Sequence, residues 1–309
     1  MTAPPARRLL LVGGGGGLLG REVLRQFLPD HRVRSVHRHI APGEGPEVEW
    51  VAADVAGPVD WPRLLRGVDV VVTLAWYRWA APARFRALGD GLLRLLAAAR
   101  TASVARFVHI SVPAAPPELE TGLPYLAEKR RFDAALLDSG LSVRIVRPTM
   151  LFGEGDRLLG VMLRLMHRFP VFPMFGDGAY HVSPIAVADV ARILWLEAAS
   201  DRTGTIDAGG PERFRYRDLT DEMYRRLGKR PRYLPLGPRG SVALGRVVQS
   251  VGSDLLYAYE VRWLLSDRLG LDPYPGLDRP LARVGPYLAE QAARWRRGET
   301  PPAPASARG

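Results

Sequence analysis

Five consecutive glycines, Gly13–Gly17, stand between the apolar run "RLLLV" at 8–12 and the helix-like stretch Leu18–Phe27. Such a run suits one kind of chemistry, the holding of an anion by main-chain N–H groups where a tight turn delivers a strand into a helix. Gly14, Gly17 and Gly20 fall in the pattern G-x-x-G-x-x-G: the first for the turn, the second for close approach to a pyrophosphate, the third for packing helix on strand. A plain glycine-rich loop satisfies the same pattern, but the strand before it and the amphipathic helix after it favour a nucleotide. The cofactor contacts expected from this loop are Gly14, Gly17, Leu18, Leu19 and Gly20.

A second constellation is "PYLAEKRRFD", in which Tyr125 and Lys129 are four residues apart and share one face of a helix beginning at Pro124. With ten tyrosines and two lysines in 309 residues, chance supplies this spacing only ~0.06 times. Of the 43 basic residues only Lys129 and Lys229 are lysine, so a chain that uses Arg nearly everywhere keeps a compact ammonium here. The bland alternative is a solvated helix face. Upstream, Ser111 ends "ARFVHIS", and Trp76, Tyr77 and Trp79 follow "VDVVVTLA". These aromatics fall at the carboxyl edge of the sheet, where ligands bind; an apolar or ring-shaped substrate and simple core packing are both open to them.

The elements that must position these residues are legible as apolar runs at 8–12, 32–37, 48–52, 68–75, 105–111 and 141–148. Helical stretches at Leu18–Phe27, Ala83–Arg100 and Pro124–Asp138 separate several of them. The alternation reads as βαβ units, an α/β fold with a doubly wound parallel (Rossmann) sheet. The expected division is a dinucleotide-binding core over 1–150, a smaller C-terminal substrate lobe with returning core elements over 151–297, and a disordered tail over 298–309. In the lobe, "HRFPVFPMFGDGAYHVSP" suits a pocket wall or lid better than a strand. Asp189 caps a helix over "VADVARILWLEA", and 241–256 carries a helical apolar face at 244, 247, 248, 251 and 255.

The end of the second expected strand chooses between nucleotides. It reads Val36, His37, Arg38, His39, with no carboxylate for an NAD ribose, and Arg38 is placed to pair with a 2′-phosphate. NADPH is therefore preferred, with NAD the alternative. Asp54, after the third strand, has two readings, a bond to the adenine amino group and a surface turn.

At this point the chain resembles the short-chain dehydrogenase/reductase superfamily, in its extended or atypical branch. The likeness covers most of 8–230 and rests on the glycine motif, Asp54, "TLA" at 73–75, Ser111, Tyr125 with Lys129, "SGLSVRIVRPTMLFGEGD" and "PIAVADVA". The segment from "FGEGD" to "PIAVADVA" is similar to the NAD(P)H-binding accessory subunits of respiratory complex I and their bacterial relatives. The resemblance implies a proton relay beside a hydride carrier. Tyr125 would exchange a proton with a substrate oxygen, Lys129 would lower the phenol pKa and bond the nicotinamide ribose, and Ser111 would orient the substrate oxygen. It adds Val55, Leu74, Ala75 and Pro148 to the cofactor contacts, Pro148 having strand termination as its rival, and Met150 to the substrate wall. Two positions depart from the pattern: Leu88 stands where many relatives carry an Asn, and Asp133 where a Glu often follows the lysine.

Composition closes other routes. Zero cysteines exclude disulfides and thiolate chemistry and point to the cytoplasm. The +11 charge is scattered and brings no nucleic-acid motif, no apolar run is long enough to span a bilayer, and the six histidines lack ligand spacing for a metal. Arg7 and Arg8 before "LLLVGGGGGLLG" imitate a signal peptide, but the glycines weaken its apolar core and the stretch is read as mature sequence. The expected function is an NAD(P)H-dependent oxidoreductase acting on a small molecule as a monomer or homodimer. The alternative is a non-catalytic NADPH-binding module in a partner complex.

Overall fold

The computed structural model describes residues 7–13, 16–38, 47–77, 80–156, 158–250 and 258–299. Leu9 to Val12 are wholly buried, as a strand covered on both faces must be, and form most of β1 (Arg7–Val12). After α1 (Leu18–Phe27) come β2 (His31–His37), β3 (Val48–Ala52), α2 (Trp61–Leu64), β4 (Val70–Thr73), α3 (Pro82–Thr101) and β5 (Arg106–Ile110). The short α4 (Pro117–Gly122) precedes α5 (Pro124–Leu137) and β6 (Val143–Pro148). With β11 (Gly204–Ala208) these strands make one seven-stranded sheet in the order β3-β2-β1-β4-β5-β6-β11. The pairings β3–β2, β2–β1, β1–β4, β4–β5 and β5–β6 are all parallel.

That order changes direction at β1, between β2 and β4, which is where a doubly wound sheet opens a crevice at its carboxyl edge. The register aligns the edge: Val12 is level with Val36 and Thr73, and Thr73 with His109. Gly13, Arg38, Leu74 and Ser111 therefore leave the sheet along one rim. Period-two alternation sends Leu10, Val12, Val71, Phe107 and Ile145 to one face, where they join Leu92 and Leu95 of α3 and Phe132 and Leu136 of α5.

The chain divides into two compact units. The first comprises 1–112, 120–147 and 188–206, so the helix α7 (Val187–Ala199) lies almost wholly within it. Asp189 sits in the first turn of α7, where a negative charge meets the positive end of the helix dipole.

The second unit comprises 113–119, 148–187 and 207–309. Its short strands pair two by two: β7 (Leu151–Phe152) with β10 (Ile185–Ala186), β9 (His181–Val182) with β12 (Phe214–Arg215), and β8 (Phe172–Phe175) with β13 (Tyr233–Leu236). Its helices are α6 (Leu159–Arg168), α8 (Tyr216–Arg226), α9 (Pro238–Ser250), α10 (Ala258–Leu264) and α11 (Val284–Arg296), around a core that includes Met162, Met166, Phe172, Tyr216, Tyr224 and Leu288.

β8 corrects the expectation that "HRFPVFPMF" avoids strand structure. The amides of Phe172 and Gly176 bond toward β13, so the N–H that Pro173 lacks belongs to the side of the strand facing away from its partner. Val242 and Leu244 of α9 pack on the second core, while 251 and 255 of the expected apolar face lie outside the described residues. Gly298 and Glu299 close α11, the Arg297 side chain bonding Glu299, and the remainder of the expected tail is outside the described residues. Among the described residues no helix is long and apolar enough to cross a membrane, and no acidic or histidine cluster is arranged to hold a metal ion.

Candidate active site

The glycine loop is built where β1 ends. Gly13 has φ +77°, and its N–H donates to Val36 O at 2.9 Å. A Cβ on Gly13 would lie 2.4 Å from Ala75 Cα, so both conformation and space require glycine there. The spacing pattern assigned no role to Gly13; Gly14, given the turn role, lies outside the described residues. Gly17 precedes α1 in an extended conformation, and no side chain caps the helix, whose first turn carries no acid. The amide end that opens with Leu18 and Leu19 is thus uncapped by side chains, and Gly20 is buried. A tight turn feeding such a helix end fits a dinucleotide pyrophosphate.

Arg38, just beyond β2, has its guanidinium carbon 4.8 Å from the centre of the Tyr77 ring. Asp54 accepts bonds from Ala56 N at 3.0 Å, the Tyr77 hydroxyl at 3.0 Å and Arg84 at 3.1 Å. Arg84 also approaches the Tyr77 ring at 5.1 Å. Burial, followed by the Asp54 carboxylate, raises the Tyr77 pKa, so this phenol remains a donor. Tyr77 and Arg84 are members of the rim that spacing did not assign to the cofactor end. The "AWYRW" cluster was the one available signal for Tyr77; Arg84 has none in an arginine-rich chain. Val55 is buried below this turn, and α3 approaches so closely that a Cβ on Gly91 would lie 1.7 Å from Val55 O. Leu74 is half-buried and Ala75 buried beside Gly13.

Tyr125 and Lys129 share the inner face of α5, which Pro124 opens at a position where the missing N–H costs nothing. Lys129 is 3% exposed, donates to Ile110 O at 3.3 Å, and holds its Nζ 4.4 Å from the centre of the Trp76 ring. Burial pulls its pKa down to about 8, Asp133 opposing and Arg130 assisting. Tyr125 is half-buried, with its ring edge-on to Trp76 at 5.9 Å and to Phe85 at 5.8 Å. Leu88, at the position of the missing Asn, is buried in the first core and offers no polar group.

Behind the pair lies a buried polar cluster. Ser111 Oγ donates to Asp133 Oδ2 at 2.7 Å, Arg130 bonds the same oxygen at 2.9 Å, and Arg147 approaches it at 3.5 Å. A hydroxyl has one proton, so Ser111 in this arrangement meets any further partner as an acceptor. His109 has Nδ1 2.6 Å from Thr73 Oγ1 and Nε2 3.6 Å from Asp133 Oδ1. Burial, with Lys129 adding to it, holds the His109 pKa well below the usual range, so the ring is neutral and the approach to Asp133 is no ion pair. Of the other expected site residues, Pro148 and Met150 are buried in the second unit, Met150 within its core, and Trp79 lies outside the described residues.

A family model described as NAD(P)H-binding matches residues 14–195, more than half of the chain. A ceramide reductase of Caulobacter vibrioides is 28% identical over 211 residues, covering 67% of this chain and 65% of that protein. NADH dehydrogenase [ubiquinone] 1 alpha subcomplex subunit 9, mitochondrial, of Arabidopsis thaliana is 26% identical over 144 residues, 46% of this chain and 35% of the relative. The chain thus spans less than two thirds of the length of either relative.

Among solved structures, a UDP-N-acetylglucosamine 4-epimerase from Methanobrevibacter ruminantium has a TM-score of 0.68 at 17% identity, covering 94% of this chain and 99% of that one. A dTDP-glucose 4,6-dehydratase from Streptomyces venezuelae with NAD bound has a TM-score of 0.63 at 23% identity, covering 94% and 97%. At these identities the structures establish a shared fold with that epimerase and that dehydratase. The glycine turn at β1, the switch-point rim and the match across 14–195 lead to one assignment: the chain belongs to the NAD(P)H-binding family.

Proposed function

We propose that the chain is an NADPH-dependent reductase or dehydrogenase acting on a carbonyl or alcohol of a small apolar or ring-shaped substrate. The observation that carries this reading is the Tyr125–Lys129 pair, with the ammonium buried beside the phenol's helix face and its pKa drawn down to about 8. The loop around Gly13 and Gly17, with Leu18, Leu19 and Gly20, would hold the pyrophosphate. Arg38 would take the 2′-phosphate, Asp54 and Val55 would border the adenine, and Leu74, Ala75 and Lys129 would border the nicotinamide half. When bound, the cofactor would supply hydride to a carbonyl in its reduced form or take it from an alcohol in its oxidised form. Tyr125 exchanges a proton with the substrate oxygen, and the Lys129 charge favours the phenolate form left behind. Ser111 Oγ, its own proton engaged by Asp133, accepts a bond from a substrate hydroxyl and so orients an alcohol. The likeness to a ceramide reductase supports an apolar substrate.

The likeness to a plant NADH dehydrogenase subunit supports a second reading, a non-catalytic NADPH-binding module in a larger assembly. A panel of long-chain and cyclic ketones, with NADPH oxidation followed by absorbance, separates the two. Turnover that grows with substrate apolarity supports the reductase; tight NADPH binding without turnover on any member supports the module.

A further inference from the structure

One side chain touches both members of the Tyr125–Lys129 pair. The Trp76 indole lies under the Lys129 ammonium, 4.4 Å from Nζ to the ring centre, and meets the Tyr125 ring at 5.9 Å and 81°. Phe85 backs the indole, stacked at 6.2 Å and 24°, and also meets Tyr125 at 5.8 Å. Trp76 is therefore packed by a second ring and presents a face to a buried cation. A π face attracts a cation through the ring quadrupole, and most strongly where water is excluded. Nothing else in the aromatic cluster has this double contact among the described residues.

From this geometry we infer that Trp76 is a positioning residue for Lys129 and Tyr125, its ring face holding the ammonium and its T-shaped contact fixing the phenol ring, rather than a wall for substrate. Trp76, in the segment that follows β4, supplies the ammonium with an electrostatic partner from outside its own helix. The inference rests on the reading of Tyr125 and Lys129 as the reacting pair for its bearing on rate, but the contact itself is measurable without turnover. The charged groups around the ammonium are Asp133 and Arg130 on its own helix, and Arg147 of β6, which joins them through Asp133. His109 of β5 is neutral. None of these changes when the indole alone is altered.

The chain's two lysines make the test direct. Full-length protein is prepared with lysine isotope-labelled at Cε, Lys229→Arg assigns the two signals, and the Lys129 signal is titrated by NMR. The same titration is repeated on protein grown with mono-, di- and trifluorinated tryptophan, which weakens the ring quadrupole while leaving its shape nearly unchanged. A π contact stabilises the charged amine, so the Lys129 pKa is expected to fall stepwise with fluorination, by about half to one unit in total. The Lys229 signal, whose ammonium bonds Met166 O and His167 O, should stay in place. Trp76→Phe, which keeps a π face, should retain more of the Lys129 pKa than Trp76→Leu. A Lys129 titration that fluorination leaves unmoved in folded protein overturns the inference. Loss of activity in the reductase assays with this trend intact would instead count against the catalytic reading alone.

Discussion

Lys129 is an ammonium that the fold disfavours, and stability should record it. In the unfolded chain its pKa is the ordinary 10.5, and in the fold burial pulls it to about 8. Above pH 10.5 both states carry the neutral amine. Between pH 10.5 and 8 the unfolded chain binds a proton that the fold does not, so stability rises with pH across this window and is lower by a constant amount below it. The full difference is about 3 kcal/mol at 1.36 kcal/mol per pKa unit. Lys129→Met keeps the unbranched apolar stem and removes the titration. Urea unfolding of both proteins should therefore show Lys129→Met gaining on the wild type as pH falls from 10.5 to 8, with no further change at lower pH. Losses independent of pH, such as the bond to Ile110 O, shift the two curves apart without altering that slope. A difference that stays constant across the window would refute the buried, poised ammonium.

Two further substitutions probe the cofactor end. Gly13→Ala must adopt φ +77° and press on the Ala75 main chain, which together cost about 2–5 kcal/mol, and NADPH binding by calorimetry should be lost with it. Arg38→Ala removes the cation expected to meet the 2′-phosphate, so NADPH should bind roughly tenfold to a hundredfold more weakly while NADH is unaffected; equal weakening of both would assign Arg38 to its contact with Tyr77 alone.

The first half of the fold was legible because parallel strands covered on both faces read as unbroken apolar runs: Leu9 to Val12 and Val70 to Val72 leave no polar register to mistake. β4 nevertheless stops at Thr73, since Leu74 and Ala75 turn along the rim under Gly13. The second unit resisted, because strands of two residues such as Leu151–Phe152 span a single period of the strand alternation and cannot show it repeating. "HRFPVFPMF" was read against strand structure on its prolines, although Pro173 falls where the strand needs no donor.

The site divides in the same way. Tyr125 and Lys129 share one helix, and a spacing of four reveals them. Asp54, Tyr77 and Arg84 come from separate segments that only the sheet brings together, and five glycines in a row satisfy any spacing, which hid Gly13.

The most direct test of the central claim is a single turnover of protein-bound NADPH mixed with the small-molecule fraction of the source cells, wild type beside Tyr125→Phe. The account predicts oxidation in the wild type, its loss in Tyr125→Phe, and nearly equal NADPH affinity in both. Equal oxidation in the two proteins, or tight binding with no oxidation in either, would contradict it.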